Sequence, residues 1–168
     1  MEKTIIATNE TIKEIVKSEI ERLGNNADLN HIDVSQVTDM SYLFEESEFN
    51  GDICNWDVSN VTNMECMFYR SDFNGDISKW DVSSVENMVS MFNGSCFNGD
   101  ISKWDVSSVE NMVSMFYESA FNGDISNWDV SNVTNMRGMF DHSPLKEDDN
   151  LPVWYDEEIV EDDDDYEE

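Results

Sequence analysis

Apolar and polar positions along this chain follow two periods. Over residues 8–23, Ile12, Ile15, Val16, Ile20 and Leu23 fall on one helical face and Gly24, Asn25 and Asn26 end the pattern, which predicts an amphipathic helix. From about residue 32 to residue 140 a longer period takes over. Trp56, Trp80, Trp104 and Trp128 recur every 24 residues, as do Met40, Met64, Met88, Met112 and Met136. Residues 73–92, FNGDISKWDVSSVENMVSMF, reappear unchanged at 97–116. A fixed period of this size marks units that bury an apolar face only by stacking on their neighbours.

Within a unit the pattern changes character. In SSVENMVSMFNG, Val85, Met88, Met91 and Phe92 follow helical spacing, Ser83 and Glu86 stand in the S-x-x-E relation of a capping box, and Gly94 suits a helix end. DISKWDVS is too short for a helix and follows an Asn-Gly-Asp turn signal, which predicts a short strand. The expected fold is α/β, a solenoid of five 24-residue strand-turn-helix coils over residues 30–143. Strands stack at ~4.8 Å and helices at ~8–10 Å, so the strand side is expected to be concave. Residues 1–29 are expected to cap the stack with a short strand and the amphipathic helix. Residues 144–155 cap the other end, where Pro144 and Pro152 break the period and Leu151, Val153 and Trp154 are available to close the last coil. Residues 156–168 read as an acidic tail, disordered when alone.

Charge narrows the function. The chain carries 38 acidic and 9 basic residues, a formal charge of −29, and 13 of the acids lie in residues 147–168. Without that stretch the body still holds 25 acids against 9 bases, a charge of −16. Such a surface repels phosphate and anionic membrane and attracts basic protein surfaces. Two columns of aspartate recur with the period: Asp52, Asp76, Asp100 and Asp124, and Asp33, Asp57, Asp81, Asp105 and Asp129. Stacked as strands, their rungs would lie ~5 Å apart. Three roles fit them. They accept backbone N–H groups at turns; they hold calcium between rungs, although no D-x-D-x-D-G loop is present; or they imitate a polyanion, since B-DNA shows one charge per ~1.7 Å.

Other candidates lie where the copies differ. Tyr42, Tyr69, Tyr117 and Glu118 fall on the expected exposed helix face, and exposed tyrosine is a common anchor of protein interfaces. Asp162, Asp163, Asp164 and Asp165 in the tail offer a basic partner further charge, with Tyr155, Ile159, Val160 and Tyr166 as apolar grip. Catalysis is not expected. His31 and His142 sit at opposite ends of the repeats, Cys54, Cys66 and Cys96 lack C-x-x-C spacing or a His in a matching column, and the NGD sequences are turns rather than phosphate loops. No cofactor or metal site is expected, and no run approaches the ~18 apolar residues of a membrane span.

The unit FNGDISxWDVSxVxNMxxMF, the lead-in NADLNHIDVSQVTDMSYLF and the ending SPLKEDDNLPVWY resemble the BspA-like leucine-rich-repeat family of bacterial surface proteins and lipoproteins, whose repeats also occur in phage and other viral genomes. The likeness covers about residues 27–155. It implies a right-handed, leucine-rich-repeat-like solenoid and a role in binding, with no catalytic motif. The N-terminus shows no basic start followed by an apolar stretch and no lipid-accepting Cys, so a cytoplasmic location is expected, with the cell surface by another route as the alternative. Two functions follow as expectations. One is an intracellular, phage-type inhibitor or decoy that mimics nucleic acid and engages a basic, nucleic-acid-binding or defence protein. The other is a surface interaction or adhesion protein.

Overall fold

The structure, a computed structural model, describes residues 4–156. Its regular elements are β1 (Ile5–Ile6), α1 (Ile12–Leu23), β2 (Ile32–Asp33) and α2 (Pro144–Glu147). β1 and β2 pair in parallel, Ile5 with Ile32 and Ile6 with Asp33. Among the described residues nothing else is helix or extended strand, so the expected α/β solenoid of five strand-turn-helix coils is not what forms. The 24-residue units are built from turns.

The segment expected to be helical carries the contact between units. In the second unit, Met67, Tyr69 and Ser71 donate to the carbonyls three residues back, closing successive tight turns. The alternate N–H groups leave the unit: Met64, Cys66, Phe68 and Arg70 donate to Asn87, Val89, Met91 and Asn93 of the next one at 2.8–2.9 Å. The same four bonds recur at every junction, from Met40–Glu46 onward to Met112, Ser114, Phe116 and Glu118. Single parallel bridges Asp39–Asn63–Asn87–Asn111–Asn135 mark this edge. A helix cannot form here because two residues per unit are left-handed: Cys66 and Arg70 (φ 51° and 50°), Ser90 and Gly94 (52° and 66°), and so on to Gly138 and His142. The capping box is absent too. Ser83 gives both its N–H and its hydroxyl to Asp81, and Glu86 donates to the Thr62 carbonyl of the preceding unit.

Stacked aromatic columns fill the interior. Phe44, Phe68, Phe92, Phe116 and Phe140, next to the ladder, lie 5.4–5.8 Å apart. Phe49, Phe73, Phe97 and Phe121 lie 6.2–6.4 Å apart, and Trp56 stands 6.5 Å from Trp80. Parallel ladders repeat at ~4.8 Å, so the stack is tightest at the ladder and fans open towards the tryptophans. Each indole also ties two units together: Trp56, Trp80, Trp104 and Trp128 donate Nε1–H to the carbonyls of Leu29, Ile53, Ile77 and Ile101 at 3.0–3.2 Å. The methionine columns are fully buried between these walls through Met40, Met64, Met88 and Met112.

Both ends are closed by residues that copy or replace a unit. α1 buries Ile12 and Val16 against the first unit, while Leu23, expected on the same face, stays 40% exposed. At the far end Trp154 breaks the period but repeats the bond, donating to the Ile125 carbonyl at 3.0 Å and stacking on Trp128 at 6.4 Å. Leu151 packs with it, whereas Val153 is 94% exposed and closes nothing.

Replacing Trp104 by Phe keeps a ring in the column and removes one inter-unit bond, while the Ile77 carbonyl still accepts the Trp80 N–H at 3.1 Å. The variant is expected to lose about 0.5–1.5 kcal/mol of unfolding free energy in a urea titration.

Candidate interaction surfaces

The aspartate columns are exposed and locally engaged. Asp76 Oδ1 accepts the Ser78 N–H at 3.0 Å and the Ser78 hydroxyl at 2.7 Å, and Asp100 and Asp124 do the same with Ser102 and Ser126. Asp52 accepts the Cys54 N–H, and Asp28 extends the column upstream by accepting the Asn30 N–H. In the other column Asp57, Asp81 and Asp105 take both groups of Ser59, Ser83 and Ser107, while Asp33 and Asp129 take the N–H of Ser35 and Ser131. Each carboxylate thus closes its own two-residue turn. The serine hydroxyl, then its N–H, holds the carboxyls of Asp33, Asp76, Asp81, Asp100, Asp124 and Asp129 below the usual range; for Asp52 the Cys54 N–H does so. Only the first rungs lie on strand-like backbone, Asp33 in β2 and Asp28 bridged in parallel to Asp52; the later aspartates of both columns stand in turns. The columns flank the tryptophans, where the rings of Trp56 and Trp80 stand 6.5 Å apart.

A third column shows what such a turn needs. Asn63, Asn87, Asn111 and Asn135 accept the N–H of Glu65, Val89, Val113 and Arg137 at 3.0–3.1 Å, and Asp39 does so for Ser41. A neutral amide oxygen is enough. The negative charge of the ten outer aspartates is therefore surplus to the turn geometry. Lys79 and Lys103 interrupt this charge in two units, adding to the lowering at Asp76 and Asp100, while Asn55 and Asn127 stand at the same place in others.

The variable strip lies on the ladder, not on a helix, and its residues remain apart. Tyr42 donates its hydroxyl to Glu65 Oε1 at 2.5 Å and lies under Lys13 Nζ at 5.6 Å; the Glu65 carboxylate pushes the phenol up to about 12. Tyr69 belongs to a different column, with the Arg70 guanidinium 5.1 Å from its ring and Arg70 reaching Glu46 at 3.8 Å. Tyr117 meets His142 edge-on at 5.5 Å, its phenol raised by the charge of Glu118 beside it. Phe68 and Trp80, 6.3 Å apart in the core, stand between this strip and the aspartate columns, so the two sets face opposite ways. Asp162, Asp163, Asp164 and Asp165 lie outside the described residues.

One polar cluster had no expectation attached. Glu19 is 7% exposed within the apolar face of α1, where its carboxylate meets His31 Nε2 at 2.8 Å and Arg22 Nε at 3.1 Å. Arg22, ahead of burial, governs this carboxyl and holds it low. The signal was present as a Glu at the i+3 position from Val16 with an Arg three residues later. The cluster latches α1 to the first unit. The cysteines are free; the Asp52 bond raises the Cys54 thiol and burial raises that of Cys66, so neither is an activated nucleophile. No described helix is long and apolar enough to cross a membrane.

A carboxyl whose pKa is depressed by folding contributes stability above its unfolded value and loses it as pH falls through the folded one. Wild type compared with Asp81→Asn, which keeps the acceptor but cannot titrate, is therefore expected to hold a constant stability difference between pH 7 and 5. That difference should decline below about pH 4. Urea midpoints of both proteins across this range check it.

No curated protein and no solved structure matches the chain. One family model, described as "Mycoplasma protein of unknown function, DUF285", matches it twice, over residues 11–96 and 73–159. The two spans overlap over residues 73–96, the length of one unit, and together they take in α1, all five units and the closing segment. The chain belongs to this DUF285 family of Mycoplasma proteins.

Proposed function

We propose that this protein is a non-catalytic, acidic protein-binding module that engages a basic, nucleic-acid-binding protein as an inhibitor or decoy. The observation that carries the reading is the surplus charge: ten aspartates stand where the same turn elsewhere is made by asparagine. Two carboxylates per unit, all but Asp33 exposed, at the 6.5 Å separation of the Trp56 and Trp80 rings would give one charge per ~3.2 Å, close to the ~3.4 Å per phosphate along one strand of B-DNA. The body charge of −16 adds long-range attraction for a basic surface. A cytoplasmic site of action belongs to this proposal.

A second reading, a surface interaction protein of the BspA-like type, is favoured by a different observation. Tyr42 is 40% exposed on the ladder face, among residues that vary from unit to unit. Such a partner would bind the strip and be indifferent to the aspartate columns.

The two readings separate in one experiment. Partners are captured from lysate on wild type, on a variant with Asp52, Asp76, Asp100 and Asp124 changed to Asn, and on one with Tyr42, Tyr69 and Tyr117 changed to Ala. The decoy reading expects a captured nucleic-acid-binding protein that is released by salt and by competing DNA and is weakened by the Asn variant, at about 0.2–1 kcal/mol per exposed charge. Binding that survives DNA, salt and the Asn changes and is lost in the Tyr variant would contradict it.

A further inference from the structure

The chain contains five Asn-Gly sequences: Asn50-Gly51, Asn74-Gly75, Asn93-Gly94, Asn98-Gly99 and Asn122-Gly123. Asn-Gly is the pair most prone to spontaneous deamidation, because no Cβ shields the glycine nitrogen. That nitrogen attacks Cγ of the preceding asparagine, ammonia leaves, and water opens the resulting succinimide to aspartate or isoaspartate. The step needs a side-chain amide free to rotate towards the glycine nitrogen and a nitrogen free to attack.

The fold removes one requirement or the other at four of the five pairs. Asn50, Asn74 and Asn98 are held at the electrophile: their Oδ1 atoms accept the backbone N–H of Asn74, Asn98 and Asn122 at 2.8, 2.8 and 2.9 Å. Asn93-Gly94 is held at the nucleophile, since Gly94 donates its N–H to the Tyr117 carbonyl at 2.8 Å as a rung of the ladder. Asn122 belongs to the last unit. One period further on stands Lys146, whose N–H goes to the Ser143 carbonyl inside α2. Among the described residues no donor holds the exposed Asn122 amide, and no acceptor holds the Gly123 nitrogen.

We infer that Asn122 is a site of spontaneous deamidation and isoaspartate formation in the native protein, and that stacking protects the other four pairs. The reaction places a new carboxylate two residues from Asp124, in the last unit of the stack. The chain supplies its own control. Four of the pairs lie in the identical sequence Phe-Asn-Gly-Asp, at residues 49–52, 73–76, 97–100 and 121–124, so local sequence gives them one intrinsic rate.

The test is incubation of the full-length protein at mildly alkaline pH, native and in urea, followed by peptide mapping and enzymatic methylation of isoaspartate. In the native protein Asn122 is expected to convert at least about fivefold faster than each other Asn-Gly pair, the factor that one net hydrogen bond of about 1 kcal/mol represents. In urea the rates at the four Phe-Asn-Gly-Asp sites are expected to converge. Any of the other four pairs matching Asn122 in the native protein would overturn the inference, as would a preference for Asn122 that persists in urea.

Discussion

The structure depends on a ladder of inter-unit hydrogen bonds that point one way along the stack, while the indole bonds and those at the turn edges run back. At each junction four N–H groups of one unit donate to four carbonyls of the next, and none of these four returns. The ladder therefore resembles a helix laid on its side, with donors facing the C-terminal end and acceptors the N-terminal end. It also sets a demand on the backbone. To turn alternate N–H groups outward, two residues per unit take positive φ, and eight of these ten positions are not glycine. Each costs roughly 1–2 kcal/mol, so the inter-unit bonds and the buried rings must offset a strain that the units create in order to meet.

That dependence explains which features could be read from the chain and which could not. The period, the buried columns and the cap formed by α1 follow from apolar spacing alone. The helix expected at residues 83–94 does not, because Val85, Met88 and Met91 at three-residue spacing suit consecutive tight turns as well as a helix. The choice is made at Ser90, whose φ of 52° is imposed by the ladder and has no sequence signal. The expected strand fails for a local reason. Asp76 and Asp81 take the N–H groups two residues on, which a strand would have spent on its neighbour.

The candidate sites were legible as columns, and the turn role of the aspartates was legible from their chemistry. The fanning of the stack was not, because it follows from the contrast between a tight ladder and wide tryptophans. Nor was the redundancy of the charge, visible only once Asn63 and its successors are seen making the same turn. Opposite sides of one core thus carry different kinds of information: regular charge on the wide side, and residues that differ between units on the narrow one.

The directional ladder is open to direct measurement by amide hydrogen exchange. Met112, Ser114, Phe116 and Glu118 donate to the next unit, whereas Met136, Gly138, Phe140 and His142, one period later, meet no acceptor among the described residues. The first four are expected to exchange slowly and the second four rapidly. Equal protection of both sets would contradict the ladder.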